Sequence, residues 1–465
     1  MFQKTIAFCS LLTLAALYSI QPVETQPGTP RPVVLYEGAR LISGTGNAPI
    51  EQSAFLVERG TITKIGRKGE LTAPAGAARV DLTGKTVMPT LINTHGHPGF
   101  QKGLTYAAEN FTRDVIMDDL NRALYFGLAA VQSQGIEKGD LTYQIRADQE
   151  AGKLGGARLL IAGRGIGAPN AGPGGATYAG IAYEVTTEAE SRRAVQELAA
   201  QKVDLIKIWV DDRNGRAPRL SPPLFRTIID EGHKRGFKVN AHVFYHTDAV
   251  DLVNAGIDGF AHLVRDKEMD DPLIASIVQH NVYVMPNLSG GERTTYTELP
   301  RWLKEDDPLM KLLRDTVSPD VIQRMKDSYA KVDAGAVERS RERYAILQHS
   351  LAKLSAAGAR IILGCDTGLQ DLLFGFTEQR ELEAMVGAGM SPAQVIVAAT
   401  SRPAEYLKLE KMGSLATGKD ASFLVLDANP LDNITNTQRI ATIYIKGLEV
   451  DRTVLRAALT RRASN

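Results

Sequence analysis

Cysteine is almost missing from this chain: its 465 residues hold two, Cys9 and Cys365. Cys9 lies in an N-terminal apolar run, so a chain that loses this run could form no internal disulfide. Cys365 reads as a buried strand residue rather than a nucleophile. Charge of one sign is also lacking. Lys+Arg is 54 against Asp+Glu 53, a net charge of +1, and no long single-sign block occurs. Nothing here suggests a nucleic-acid or membrane-surface partner. An apolar run long enough to cross a bilayer is absent too. Thr5 to Ile20, preceded by Lys4, falls short of the ~20 residues that a span needs and has the length of an export-signal core. Residues 1–25 are therefore expected to be a signal peptide that sends the protein to the periplasm or the exterior. An uncleaved anchor is the alternative, because no clean small-x-small cleavage site follows. The remainder is ordinary, with 44% hydrophobic and 23% charged residues. That composition suits a large core, with one big domain and a smaller one.

After a Pro-rich joint, Gln26 to Pro32, apolar and partly alternating runs at Val33 to Leu41, Ala54 to Arg59, Ile62 to Ile65 and Ala78 to Leu82 read as short strands. Similar runs return at Ser422 to Asp427 and Ile440 to Ile445. The two chain ends, 32–88 and 406–460, are expected to form one small β-sandwich. Between them, 89–405 alternates strands and helices. Candidate strands are 91–97, 128–133, 158–163, 204–210, 238–243, 259–264, 282–288 and 360–366. Helical spacing of apolar residues marks Glu188 to Gln201, Pro223 to Arg235 and Asp248 to Ala255. About eight such α/β units predict a closed (β/α)8 barrel, whose chemistry sits at the C-terminal ends of the strands.

Ligand-type residues fall at those ends. His95 and His97 close the run Leu91-Ile92-Asn93-Thr94-His95-Gly96-His97. Alternation along a strand points both imidazoles to one side, where they suit zinc or a neighbouring transition metal. Lys207 lies within Leu205-Ile206-Lys207-Ile208-Trp209, His242 ends Val239-Asn240-Ala241-His242, His262 ends Gly259-Phe260-Ala261-His262, and Asp366 follows Leu363-Gly364-Cys365. A lysine among Leu, Ile and Trp is costly to bury as a cation and needs a partner or a chemical change. Asp211 is the nearest candidate partner. Taken singly, His242 and His262 also read as hydrogen-bonded core histidines, and Asp366 as a turn cap.

Taken together and in order, these six residues resemble those of the amidohydrolase superfamily in its dinuclear-metal form. The likeness runs from about Val33 to Gly447. Met88 to His97 is similar to the family's first-strand motif, with Asn93 where Asp is usual and Thr90 where Gly is usual. Ser391-Pro392 through Ala404, then Gly413 to Ala421, resembles the stretch that leads back into the sandwich. The nearest likeness is to imidazolonepropionase-like and prolidase-like members, although Phe374-Gly375 stands where a His-Gly pair is common. The resemblance implies a TIM barrel and a hydrolase with two divalent metals, zinc foremost, bridged by a carboxylated Lys207. His95 and His97 would hold one metal and His242 and His262 the other, with Asp366 beside the first. Bridging hydroxide would attack a carbonyl carbon while Asp366 moves the proton to the leaving nitrogen. The implied partner is a small molecule such as a dipeptide or N-acyl amino acid, with cyclic amides and lactones as alternatives. A metal-binding barrel without catalysis is the reading of a different class.

Tyr245 and His246, just past the His242 strand, are candidate substrate contacts. Arg265 is a candidate for a substrate carboxylate, with an internal ion pair to Asp266 or Asp270 as the alternative. Gly163-Arg164-Gly165-Ile166-Gly167-Ala168 matches a dinucleotide fingerprint, but Pro169 and the glycines and proline at 172–175 forbid the helix such a site needs. A loop over the barrel mouth, 165–183, is expected instead. The stretch 290–357 is long enough for two or more helices, which would cap the site or make a subunit contact between copies of the chain.

Overall fold

The computed structural model describes residues 33–172, 180–329, 333–369 and 371–463. The expected signal segment, Cys9, the Pro-rich joint and residues 173–179 of the expected loop lie outside the described residues. No helix among the described residues is long and apolar enough to cross a membrane.

The chain opens with β1 (Val34–Glu37), β2 (Arg40–Leu41), β3 (Ser53–Glu58), β4 (Thr61–Arg67), β5 (Ala78–Asp81) and β6 (Thr86–Pro89). The single strand expected over 33–41 is broken in two. Gly38 turns the chain with φ +93°, a region that side-chain-bearing residues avoid, and an added Cβ there would lie 2.4 Å from Thr83 Oγ1. β1 and β2 consequently enter different sheets.

The middle of the chain contributes β7 (Leu91–Gly96), a small hairpin of β8 (Gln101–Lys102) and β9 (Thr105–Tyr106), α1 (Arg113–Tyr125), β10 (Leu128–Ser133), α2 (Leu141–Glu150), β11 (Arg158–Leu160), β12 (Ile166–Gly167) and β13 (Tyr183–Glu184). Next come α3 (Glu188–Ala200), β14 (Ile206–Trp209), α4 (Pro222–Lys234), β15 (Val239–His242), α5 (His246–Asn254), β16 (Gly259–Ala261), α6 (Asp271–Gln279) and β17 (Tyr283–Met285). The long connection after β17 holds α7 (Leu288–Glu292), α8 (Pro308–Arg314), α9 (Pro319–Tyr329) and α10 (Ala334–Ala356) before β18 (Arg360–Ile361). The chain finishes with α11 (Phe376–Gly387), α12 (Pro392–Ala399), α13 (Ser401–Tyr406), β19 (Phe423–Leu426), β20 (Ile440–Ile445), β21 (Leu448–Glu449) and α14 (Arg452–Ala463). Local chemistry sets several boundaries. Thr187 and Glu190 make a reciprocal capping box at the start of α3, and prolines occupy the first turns of α4 and α6.

The strands at the site are parallel. One sheet runs β11-β10-β7 and another β13-β12-β14-β15-β16-β17-β18. Beyond the strands proper, Thr94 N donates to Leu363 O at 2.9 Å, Gly96 bridges Thr367 in parallel, and Asp204 N donates to Ile161 O at 2.7 Å. The strand expected over 158–163 stops at Leu160 and pairing resumes at β12, because Gly163 turns with φ +70° against Tyr143.

The two chain ends meet. β6 pairs antiparallel with β19, so the five-stranded sheet β2-β6-β19-β20-β21 draws on both. The four-stranded sheet β4-β3-β1-β5 shares an apolar cluster with it. Tyr36 and Phe55 stack at 4.9 Å, Phe423 and Tyr444 stack at 4.7 Å, and Phe423 meets Tyr36 edge-on at 5.2 Å.

Candidate metal centre

His95 is the penultimate residue of β7 and His97 lies one residue past its end. Their Nε2 atoms are 3.2 Å apart, as strand alternation requires of two imidazoles on one side. Asp366, beyond β18, brings Oδ1 to 2.8 Å from His97 Nε2 and 3.1 Å from His95 Nε2. His262 follows β16, and its Nε2 is 3.9 Å from Asp366 Oδ2. His242 ends β15, with its ring 4.7 Å from that of His262. Ligand atoms of His95, His262 and Asp366 all lie within 4.8 Å of one another. His262 and Asp366 have left-handed backbones, φ +74° and +58°, which turn each chain sharply at its strand end.

Lys207 sits in the middle of β14 with 1% of its surface exposed, and its Nζ has no hydrogen-bond partner among the described residues. The expected alternative, a pair with Asp211, is not what the side chains make. Asp211 Oδ1 turns to His242 Nε2 at 3.4 Å and to Arg213 Nε at 4.0 Å. Burial pushes the Lys207 ammonium down to about 7, against the pull of Asp366. Three of the histidines are also held neutral. Burial, with the charge of Lys207, takes His95 down to about 3, and burial followed by the nearby arginines takes His242 and His262 well below the usual imidazole value. Burial alone would raise Asp366, but His95 and His262 hold it well below the carboxylate range.

These groups have the chemistry of a cation site. Neutral imidazoles offer lone pairs, a carboxylate faces them, and His95 Nδ1, His97 Nδ1 and Lys207 Nζ are buried without hydrogen-bond partners. Asn287 completes the second layer. It adopts φ +53°, and with its amide oxygen turned toward them it accepts from Asp366 N at 2.9 Å and His262 Nδ1 at 3.3 Å, while its nitrogen donates to Gly364 O at 3.0 Å. A bond to Nδ1 leaves Nε2 of His262 free to serve as a ligand.

A cavity of about 800 Å³ opens above the cluster, lined by His262, Asp366, Asn287, Arg265, Phe244 and, from α10, Tyr344 and Leu347. The long connection thus roofs the site. A second cavity, about 410 Å³, reaches His242 and Asp211 and shares Asn214, Phe244 and Arg265 with the first. No carboxylate lies within ion-pair distance of Arg265 among the described residues, so the expected alternative with Asp266 or Asp270 is not formed. Asp266 instead accepts from His246 N, and Asp270 caps α6.

Neither Tyr245 nor His246, the expected substrate contacts, lines these two cavities. Tyr245 donates to Asp212 at 2.8 Å and lies under Arg219, and His246 Nε2 is 3.0 Å from Asp270 Oδ1. His246 is the first residue of α5 and is buried there. The 163–168 run forms no helix, and Gly165 is a glycine because an added Cβ would lie 2.1 Å from the Trp209 ring. Asn287, Asp211 and Phe244 were not legible as site residues. Pro286-Asn287 directly after a strand was the one usable signal, as Asn tolerates the left-handed turn there.

Residues 86–450 match the model of the Amidohydrolase family. An uncharacterized protein of Mycobacterium tuberculosis is 27% identical over 221 residues, 47% of this chain and 54% of that relative. The chain thus spans about half the length of the curated relatives it matches. A Xaa-Pro dipeptidase solved with methionine in its active site superposes with a TM-score of 0.71 at 21% identity, over 90% of this chain and 99% of that one. Phenylurea hydrolase B gives 0.72 at 22% identity, over 91% and 97%. At these identities the likeness is one of fold.

Proposed function

Because this chain belongs to the amidohydrolase family, we propose that it hydrolyses an amide-type carbon–nitrogen bond in a small carboxylated molecule, a dipeptide or an N-acyl amino acid. The observation that carries this reading is Lys207, an amine buried without a partner among four histidines and Asp366. An amine held near neutrality reacts with carbon dioxide, and the resulting carbamate would turn an unsatisfied group into an anionic ligand. His95, His97 and Asp366 would then hold one divalent ion and His242 and His262 a second, zinc in the first instance, with Lys207 between them. When bound, such ions polarise a carbonyl oxygen and lower the pKa of water toward about 7. The parallel strands are read as a closed (β/α)8 barrel, which the Thr94–Leu363 and Asp204–Ile161 hydrogen bonds support, and the two antiparallel-rich sheets as a sandwich.

The chain's own residues perform the rest. Asp366 accepts the attacking water's proton at a carboxylate oxygen and returns it to the leaving nitrogen. Asn287 keeps His262 and the Asp366 backbone in register for that transfer. Arg265, which has no ion-pair partner among the described residues, offers its guanidinium to the substrate carboxylate, and Phe244 beside it gives an apolar wall. Tyr344 and Leu347 on α10 exclude water from above. The similar dipeptidase and phenylurea hydrolase both cleave bonds of carbon to nitrogen, in keeping with this chemistry. The leading segment favours an exported enzyme.

Zinc-loaded protein, assayed against dipeptides, N-acyl amino acids, their carboxamide counterparts, lactams and lactones, tests the reading. The expected result is hydrolysis of carboxylated linear amides, two metals per chain, and loss of activity and at least one metal in Lys207→Ala. Arg265→Ala should raise KM for the acid and leave the carboxamide unaffected. Clearly less than one metal per chain after reconstitution, or an unchanged rate in Lys207→Ala, would defeat it, and activity confined to lactams or lactones would move the substrate class.

A further inference from the structure

Asn93 is fully buried, and each end of its amide is committed. Its Oδ1 accepts from His95 N at 2.8 Å. Its Nδ2 donates to Glu378 Oε1 at 2.5 Å and to Thr367 Oγ1 at 2.9 Å. Glu378, in the first turn of α11, is equally buried. Its Oε1 also accepts from Thr367 Oγ1 at 3.1 Å, and its Oε2 accepts from Gly375 N at 2.6 Å. Thr367 in turn accepts from His97 N at 2.7 Å, and its neighbour Asp366 donates its backbone N–H to His95 O at 3.0 Å. A continuous set of bonds therefore joins α11 to the backbones that carry His95, His97 and Asp366.

We propose that Asn93 and Glu378 are a matched amide–carboxyl pair that positions the His95–His97 strand end against the Asp366 turn. The match explains why this chain carries Asn at 93. An aspartate there would place an oxygen 2.5 Å from Glu378 Oε1, so that two buried carboxylates face each other where an amide N–H had donated, and the contact can be kept only by taking up a proton. The pair can be exchanged but not duplicated. With Asp at 93 and Gln at 378, one carboxylate oxygen still accepts from His95 N, the other accepts from the Gln amide, and the Gln oxygen still accepts from Gly375 N. Neither Glu378 nor Asn93 lines the cavity above the cluster, and both act through the residues beside them.

The zinc readout of the test rests on the metal reading above, whereas the unfolding readout does not. Asn93→Asp, Glu378→Gln and the double variant are compared with the parent chain by thermal unfolding in chelator and by zinc titration against a chromophoric chelator. Each single variant should unfold several degrees lower and bind zinc on the order of tenfold or more weakly, the usual scale for groups that orient ligands. The double variant should return to within about threefold of the parent's zinc affinity and recover most of the lost unfolding temperature. A single variant that does not fold, beside a double variant that does, gives the same support. Losses that simply add in the double variant, or a double variant that does not fold, overturn the pairing. Lower unfolding temperatures with unaltered zinc affinity overturn the positioning role. If the parent chain binds no zinc, the metal reading and the positioning role fall together, and the unfolding comparison still decides the pairing.

Discussion

Asp366 lies within hydrogen-bonding reach of His95 and His97 and stands on a left-handed turn, so its chemical role separates from its structural one. Asparagine suits that turn at least as well as aspartate, but cannot take a proton as a carboxylate does. Asp366→Asn should fold, retain much of its metal and lose on the order of 10²-fold or more in kcat with little change in KM. Near-normal kcat on a substrate from the screen would remove the proton-shuttle role. Glu137 makes a separate prediction. Its Oε1 accepts from Ser133 Oγ and from the backbone of Ala162 and Gly163, its Oε2 has no partner, and burial pushes the carboxyl from 4.5 up to about 7. Between those values the folded chain holds a proton that the unfolded chain has released, so this group's contribution to stability falls as pH rises through the window. Glutamine does not titrate. The stability of the parent chain relative to Glu137→Gln should therefore drop by up to ~1.4 kcal/mol per pH unit from about 4.5 to 7. Urea unfolding of both chains at several pH values measures this, and a flat difference would rule it out. At this scale the six ligand-type residues were legible because each lies in or directly after an apolar run of the sequence. Their supports were not: Glu378 lies 285 residues from Asn93, and no local pattern announces a hydrogen bond of that span.

At the scale of elements, period and punctuation located most strands and helices, several strands are shorter than expected, as at β16, β17 and β18, and two of the misses fall at glycines. Gly38 splits one expected strand and Gly163 shortens another, each with positive φ against a neighbouring side chain. Composition shows that such a residue is present without showing what crowds it. Gly368 is the sharpest instance near the site, with φ +93° and an added Cβ 2.2 Å from His97 O. Gly368→Ala must therefore move the backbone that holds His97. The expected outcome is a clear fall in unfolding temperature together with loss of bound metal, followed by calorimetry and elemental analysis. Normal metal content in a folded Gly368→Ala protein would show that the turn can relax without disturbing the ligands.

For the whole molecule, the two chain ends depend on each other through one aromatic cluster. Phe423 on β19 touches Tyr36, Phe55 and Tyr444, which come from both sheets. Phe423→Ala should cost about 3–5 kcal/mol, read from denaturant unfolding, while the metal content of the remaining folded protein stays normal. The meeting of the ends was legible because strand-like runs return after the helical middle. Which strands pair was not, since register depends on contacts hundreds of residues apart. The roof over the cavity differs from every other part of the site in how it is attached. It is supplied by the stretch between β17 and β18, two strands already hydrogen-bonded to each other, and it contributes none of the six ligand-type residues. A change in its length or composition would leave the β17–β18 pairing and the six ligand-type residues in place, so the shape of the cavity can vary separately from the groups at its floor, one segment acting as an exchangeable selector above them.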